Sequence, residues 1–553
     1  MAAGGALLLL TLATFWGVTG NGFLNYDDEL YLTRNPEVTP GLTPAAFLRG
    51  LTTFRGGNWH PLTWWSHQLD VSLFGLDPAG HHLVGLLLHA AAALLLGTAF
   101  HVLTGGRRAS WMVAALFAVH PLRVESVAWA AERKDLVCGL FWAAALLAYG
   151  RYVRRPGAGR WWAVFLLCAA ALMGKATAVT LPVVLLVLDW WPLGRLPPPG
   201  GGGWRRAGAL VAEKLPLLFL SLAAAATAVA AQRGSSALTG LEALPWDRRL
   251  WNAALSALRY PLKLLWPVDL APFYPYPAAT PLLPSAGALA LLLLALGAAW
   301  RGRRRYPFAA AGLTWYLVTL LPVAGLVQVG SQAMADRYTH LPGTGLLLAG
   351  VWAAGAAWRR KARALVPPAA AGLVALALIT RCYAGFWRDS VTLFGRALSV
   401  TRDNWVAAAN LAQALGGEGR LLEAAEHYRR AASGRPWIPQ LRHNLGVALA
   451  RLGRTEEARE EFRAALALDP EMADSRGNLA YLESGVPPVE VLRFYRRSLR
   501  LRAEEPGIHN RLGESYRRAG WPEDAARAYR RSLELDPSQG EVRRLLEELG
   551  GGG

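Results

Sequence analysis

The sequence predicts an all-α protein: a polytopic membrane helix bundle of about eleven spans, followed by an α-solenoid of paired helices. Three observations predict it. Apolar residues make up 53% of the 553 and charged residues only 18%, and the apolar ones are gathered in long runs, as membrane helices require. Basic clusters fall in alternate gaps between these runs. From about Arg402 the chain turns charged, amphipathic and Ala-rich, with a repeat near 34 residues.

The first apolar run covers about Ala6 to Val18. It resembles a signal peptide but has no basic n-region and no clear A-x-A site, so a retained first helix is expected. A long polar loop, about 21–81, follows. Further apolar segments lie near 82–103, 110–120, 135–150, 161–174, 178–193, 208–231, 285–300, 307–328, 340–358 and 363–381. Several are shorter than the ~20 residues of an upright span, which predicts shallow or broken helices around a cavity. Segment 250–266 carries Arg259 and Lys263 and runs into the Pro-rich stretch 267–284, as expected of a helix lying on the membrane surface.

Arg107-Arg108, Arg151/Arg154/Arg155/Arg160, Arg205-Arg206, Arg301/Arg303/Arg304/Arg305 and Arg359-Arg360-Lys361/Arg363 are the five basic clusters. The positive-inside rule puts them, and the N-terminus, in the cytoplasm. Three polar segments then face the other side: the loop after the first span, His120 to Lys134, and Gln328 to His340. An odd number of spans sends everything after Arg381 there too. The net charge of +19 is accounted for by this pattern, so no nucleic-acid partner is expected. Cys138, Cys168 and Cys382 support neither a disulfide framework nor a cysteine zinc site.

The membrane domain is read as 1–385 and a connector as 386–401. Beyond it, Asn410-Leu411-Ala412, Asn444-Leu445-Gly446 and Asn478-Leu479-Ala480 recur every 34 residues, with Arg511-Leu512-Gly513 one short of the next step. Tyr428, Phe462, Tyr495 and Tyr529 form a second series, each followed by Arg. Asp469-Pro470 and Asp536-Pro537 close two units, and Gly419, Gly453 and Gly520 mark turns. The pattern resembles the tetratricopeptide repeat, with four units over 402–537 and a cap and Gly tail over 538–553. Such repeats stack into a superhelix with a concave groove. The aromatics are expected to pack between helices. The resemblance puts Asn410, Asn444 and Asn478 on the concave face, where they can grip a protein acceptor, a capping or interhelix hydrogen bond being the alternative.

In the first outer loop stands Asn25-Tyr26-Asp27-Asp28-Glu29. Carboxylates where a membrane helix emerges can sit at the edge of a dry cavity, which raises basicity and suits proton abstraction. An exposed turn, an N-cap or a cation site is the alternative. Asn58-Trp59-His60-Pro61 continues the same side. The second loop reads His120-Pro121-Leu122-Arg123-Val124-Glu125-Ser126-Val127-Ala128-Trp129-Ala130-Ala131-Glu132-Arg133-Lys134-Asp135. On a helix, Glu125, Trp129 and Glu132 would share a face. Arg133-Lys134 at the next entry suits an anionic lipid phosphate, or interfacial snorkelling. In Ala335-Asp336-Arg337-Tyr338-Thr339-His340, Arg337 near lipid calls for neutralisation by a phosphate or Asp336. Lys175, between two apolar runs, is either a further phosphate ligand or a helix-break residue.

The tyrosine-aspartate-aspartate loop, the His-Pro-x-x-x-Glu-Ser-Val-Ala-Trp…Glu-Arg-Lys-Asp segment, the Asp-Arg-Tyr motif and the repeats together resemble, in order and over nearly the whole chain, the transmembrane and tetratricopeptide-repeat O-mannosyltransferase family, in its bacterial-type form. The animal members carry more repeats than four. The resemblance implies the membrane-embedded C-type glycosyltransferase fold, a polyprenyl-phosphate sugar donor, mannose by the family's name, and a protein Ser/Thr acceptor held by the repeats. Glucose, arabinose and other donors stay open.

On this reading Asp27 is the catalytic base, with Asp28 orienting acceptor or base. Arg133, Lys134, Arg337, Arg123 and Lys175 are the donor-phosphate candidates, and Glu125, His60, Tyr338 and His340 the substrate-binding ones. Single displacement implies inversion at the sugar C1. No cofactor is required. His60, His67, His81 and His82 leave a divalent ion open, but no metal is predicted. High Gly/Ala/Arg usage suggests a bacterial inner membrane with periplasmic repeats, or a lumenal location in the endoplasmic reticulum if the source is eukaryotic. Two rivals are a membrane-anchored repeat scaffold without activity and a transporter of lipid-linked sugars; ionisable residues near mid-bilayer and two-fold repetition, expected of the latter, are not visible.

Overall fold

In the computed structural model, residues 2–196, 203–234, 244–357, 366–484, 495, 499, 505–518 and 521–549 are described. The basic cluster at 359–363 and Gly520 lie outside them. Apart from one short antiparallel ribbon, β1 (Tyr274–Pro275) with β2 (Gln332–Met334), the regular structure is helical. The chain divides into two compact units, Met1–Asp403 and Asn404–Gly553.

The first unit opens with α1 (Ala2–Phe15). The stretch 21–81, read from sequence as a loop, is instead mostly helical: a π-turn over Glu29–Thr33, then α2 (Pro44–Thr52) and α3 (Pro61–Phe74), with α4 (Pro78–Thr104) already begun. Local signals explain it. Thr43 accepts from the Ala46 N–H and Asp77 from that of Ala79, with Pro at the first turn in each case. Such caps are worth about 1 kcal/mol each. After α4 come α5 (Arg107–Val119), α6 (Val124–Ala128), α7 (Arg133–Arg154), α8 (Ala158–Gly174), α9 (Leu181–Trp190), α10 (Gly203–Gly234), α11 (Trp246–Leu265), α12 (Leu282–Gly302), α13 (Pro307–Leu320), α14 (Pro342–Ala357), α15 (Val366–Gly385) and α16 (Ser390–Val400).

Each of the eleven apolar segments falls on a helix, but length trims the number of candidate spans. Among the described residues six helices are long and apolar enough to cross a membrane, or seven with the bent pair Arg107–Val119 and Pro121–Ala128. Ala158–Gly174, Ala176–Trp190, Pro307–Val323 and Pro342–Ala357 are apolar but shorter. Helix α11 buries Asn252, Leu255, Ser256 and Tyr260 and exposes Leu250, Leu262 and Leu265, so it is amphipathic. The core gathers residues of α4, α5, α7, α8 and α9, including Phe100, Phe117, Trp142, Cys168 and Leu185. Helices α13 and α14 meet backbone to backbone: a Cβ on Gly312 would come within 2.4 Å of the Gly345 carbonyl, so only glycine fits.

The second unit is a run of antiparallel helix pairs: α17 (Trp405–Gly417) with α18 (Leu421–Gly434), α19 (Pro439–Arg451) with α20 (Thr455–Leu468), then α21 (Ala473–Ser484), α22 (Pro506–Arg518) with α23 (Pro522–Leu535), and α24 (Gly540–Glu548). The 34-residue period has a steric origin. A small residue on the first helix of a pair receives the aromatic of the second. A Cβ on Gly446 would meet the Phe462 ring at 2.8 Å, and one on Gly513 the Tyr529 ring at 2.6 Å. Tyr428, Phe462, Tyr495 and Tyr529 are all buried, as interhelix packing requires.

Candidate active site

The loop carrying the two aspartates is pinned on several sides. The Gly22 N–H donates to the Arg388 carbonyl (2.9 Å) and the Asn25 N–H to Ser390 Oγ (3.0 Å). The Tyr26 ring stacks on Trp129 at 4.5 Å, and Trp129 Nε1–H donates to the Tyr26 carbonyl (2.7 Å). Asp28 is buried and accepts one backbone N–H on each oxygen, from Leu24 and from Ala131, both at 2.8 Å. Burial pushes its carboxyl up to about 7 even against those two bonds. Asp28 therefore clamps the loop to the entry of α7, and its oxygens are occupied.

Asp27 differs from its neighbour in backbone and in exposure. Its backbone is left-handed, with φ +64°, a conformation that aspartate and asparagine adopt more readily than other non-glycine residues. Its side chain is accessible to water although protein surrounds most of it, and that surrounding raises its carboxyl. Lys134 and Arg337 act in the opposite direction on the charge, so both lie within its field. Among the described residues Asp27 has no ion pair.

Beside it lies a dense cluster. Glu132, buried, receives Lys175 Nζ at 2.5 Å, Lys134 Nζ at 3.1 Å and Arg337 Nε at 3.7 Å. Lys175 also meets Asp135 at 2.7 Å, and Asp135 accepts from Ser126 Oγ (3.0 Å). Arg337 is ion-paired with Glu125, whose other oxygen takes the Arg337 backbone N–H at 2.7 Å. Aromatic faces line the cations: Lys134 lies 4.4 Å from the Tyr31 ring, and Arg337 lies 5.5 Å from Trp129 and 5.2 Å from Tyr338. A cleft of about 350 Å³, open to solvent, borders Glu125 and Asp336, with Pro272, Tyr383, Trp387 and Arg396 on its walls.

The structure brings Asp27, Lys134, Arg337, Lys175, Glu125 and Tyr338 into one region, and it removes four candidates. Arg133 points away from Lys134 into the protein, paired with Asp70 at 2.8 Å and donating to Ser66 Oγ and the His81 carbonyl. Successive residues on a helix point about 100° apart, so the two basic neighbours cannot share a ligand. Arg123 is fully buried and donates to the carbonyl and hydroxyl of Thr339 (both 2.9 Å). His340 is buried against Gly139 and Phe117. His60 stacks behind Tyr31, in the field of Lys134 and Glu132 but screened from Asp27 by that ring, and burial holds it well below the ordinary histidine range.

Two further expectations change. Arg337 is neutralised by Glu125, while Asp336 accepts from Tyr274 Oη at 2.7 Å. Glu125, Trp129 and Glu132 do not share one helix, because the chain is extended at Trp129 (φ −99°, ψ 116°). The break still turns Glu125 and Glu132 toward the same arginine. Glu132, Tyr31 and Trp129 join the site only in the structure; for Glu132 the charge-dense run Glu132-Arg133-Lys134-Asp135 is the sequence signal, and the two aromatics have none. In the second unit Asn410 donates to the Val406 carbonyl (2.9 Å) of its own helix and Asn444 accepts from Gln440 (3.2 Å). Asn478 is half-buried on α21.

Residues 439–472 and 506–539 match the family model "Tetratricopeptide repeat". Among curated proteins the chain is similar to the protein O-mannosyl-transferase Tmtc1 of Drosophila melanogaster, 32% identical over 31% of this chain and 21% of the fly protein. Human TMTC2 is 33% identical over 31% of this chain and 22% of its own length. Mouse TMTC4 is 27% identical over 67% of this chain and 57% of its own. The chain thus spans from about a fifth to about half the length of these relatives. Of solved structures, the crystal structure of MamA protein is 16% identical over 27% of this chain and 83% of its own, with a TM-score of 0.21, too low to bear on the argument. In these relatives and repeats the chain is similar to protein O-mannosyl-transferases of the transmembrane and tetratricopeptide-repeat family.

Proposed function

We propose that the chain is an integral membrane glycosyltransferase that moves mannose from a polyprenyl-phosphate donor to a Ser/Thr hydroxyl of a protein, with the repeats holding the acceptor. The observation that carries this reading is Asp27: accessible, without an ion pair among the described residues, and in the field of Lys134 and Arg337. Asp27 takes the proton of the acceptor hydroxyl as its oxygen attacks C1. The bond from C1 to the phosphate oxygen breaks with inversion, and the electron pair leaves with polyprenyl phosphate. Lys134, Arg337 and Lys175 stabilise the charge that develops there. Glu132 and Glu125 hold these cations in place beforehand. Asp28 fixes the loop and so the direction of the base. The site faces the outer side of the membrane, the periplasm in a bacterium, where the lipid-linked sugar needs no nucleotide-binding loop.

Membranes holding the full chain, supplied with polyprenyl-phosphate [¹⁴C]mannose, should label proteins at Ser/Thr, and β-elimination should release the label. Label that forms equally without the chain, or that stays on lipid alone, contradicts the proposal.

A further inference from the structure

Behind Arg133 lies a second cluster that the transfer reaction does not use. His67 and Asp70 stand three residues apart on one face of α3, and His81 meets them from the first turn of α4. All three are at most 1% exposed, and one donor atom from each lies within 4.8 Å of the others. Both nitrogens of His67, Oδ1 of Asp70 and Nδ1 of His81 are buried without a hydrogen-bond partner, and Oδ2 of Asp70 meets the Arg133 guanidinium as an ion pair. Leaving that many polar atoms unsatisfied in one dry spot is costly.

The geometry of His81 sharpens the point. Its Nε2 faces the Gly75 carbonyl at 3.1 Å, an acceptor, so Nε2 carries the hydrogen and Nδ1 presents a lone pair. That lone pair looks at Asp70 Oδ2 from 3.3 Å, another acceptor. A single cation between the three side chains takes one lone pair from each of them at once. Arg133 reaches Asp70 Oδ2 at 2.8 Å, but its hydrogens go to Ser66 and the His81 carbonyl, so it supplies charge without filling Oδ1.

We infer that His67, Asp70 and His81 bind one divalent transition-metal ion of the zinc class. Two imidazoles and one carboxylate suit zinc or cobalt, whereas magnesium and calcium prefer all-oxygen shells. Bonds of about 2.0–2.1 Å place tetrahedral donors roughly 3.3–3.5 Å apart, so the widest pair closes by about 1.5 Å, with water in the fourth position. Arg133 becomes an outer-shell partner of the Asp70 carboxylate. The ion ties α3 to the start of α4. The Phe23 ring, in the aspartate loop, meets the His81 ring edge-on at 5.5 Å, so the same ion braces that loop from behind.

Purified full-length chain, stripped with chelator and titrated with Co²⁺, should take up one equivalent with a visible d–d band that Zn²⁺ abolishes. His67→Ala and the near-isosteric Asp70→Asn should weaken Co²⁺ binding by about 100-fold or more, beyond the 10–100-fold typical of outer-shell changes. His101→Ala, at an exposed histidine near the end of α4, should leave it unchanged. Absence of a stoichiometric site in the wild type, which needs no variant, overturns the inference. So does an equivalent of Co²⁺ that both His67→Ala and Asp70→Asn retain.

Discussion

Helix α7 carries a charge cluster at each end, and the two behave differently. Near its last turns Tyr149, Asp189, Arg195, Glu213 and Lys214 close on one another: Tyr149 Oη donates to Asp189 at 2.5 Å, Lys214 bridges Asp189 (2.5 Å) and Glu213 (2.7 Å), and Arg195 does the same at 2.9 and 2.7 Å. Two acids meet two bases and no carboxylate is left over. Roughly 22 Å away along the helix, at 1.5 Å per residue, Lys134, Lys175, Arg337, Glu132, Asp135 and Glu125 are knotted as densely, yet among the described residues Asp27 stands beside them without an ion pair and open to water. The first cluster fastens α7, α9 and α10 together. The second has the same chemistry with one carboxylate held out of the pairing, the one proposed to take the acceptor proton.

The sharpest way to break this contrast is to remove one acid from the closed cluster. Asp189→Ala strands Lys214 and Arg195 beside a single partner, and breaking a buried pair typically costs about 3–5 kcal/mol. Thermal unfolding in detergent should show a large drop in midpoint, with the transfer rate per folded molecule unchanged. At the open cluster the signs reverse. Arg337→Gln should lower transfer by about 10²–10³, the equivalent of roughly 3–4 kcal/mol on the barrier, while Arg337→Lys, which keeps the charge, recovers part of it.

Asp28 offers a subtler test. Its folded carboxyl is raised to about 7 from an ordinary 3.8, so the folded state binds the proton more tightly than the unfolded one. That contribution to stability is fully present below pH 3.8 and is lost as pH rises toward 7, with a slope of at most about 1.4 kcal/mol per pH unit. Asp28→Asn should flatten this part of the stability–pH curve; an unchanged slope would remove Asp28 as its source. The smallest expected effect lies in the repeats. Replacing Asn444 and Asn478 together by Ala should raise KM for a protein acceptor by up to about tenfold with kcat preserved, measured against a short peptide acceptor as control.

Long apolar runs made the membrane helices legible, and a steric rule, glycine or alanine under an aromatic, made the repeats legible. The polar composition of 21–81 reads as a loop and hides two helices, α2 and α3, whose proline starts are local but whose packing is not. That Asp27 lies near Lys134 and Arg337 could be anticipated from the three polar loops that the charge pattern sets on one side. What could not be read was direction. Arg133 and Lys134 are adjacent in sequence, yet one turns inward to Asp70 and the other toward Tyr31 and Glu132. Arg123 and His340 look like site residues by type and lie in the interior by rotation. The break at Trp129, which aims Glu125 and Glu132 at Arg337, has no local signature, since it depends on Tyr26 stacking against the indole from another segment.

Asp27→Asn tests the central claim most directly, because asparagine tolerates the left-handed backbone and keeps the shape while removing the base. In single-turnover reactions of purified chain with bound polyprenyl-phosphate mannose, transfer should fall by about 10²–10⁴, with donor affinity and unfolding midpoint preserved. Full transfer by Asp27→Asn would contradict the account.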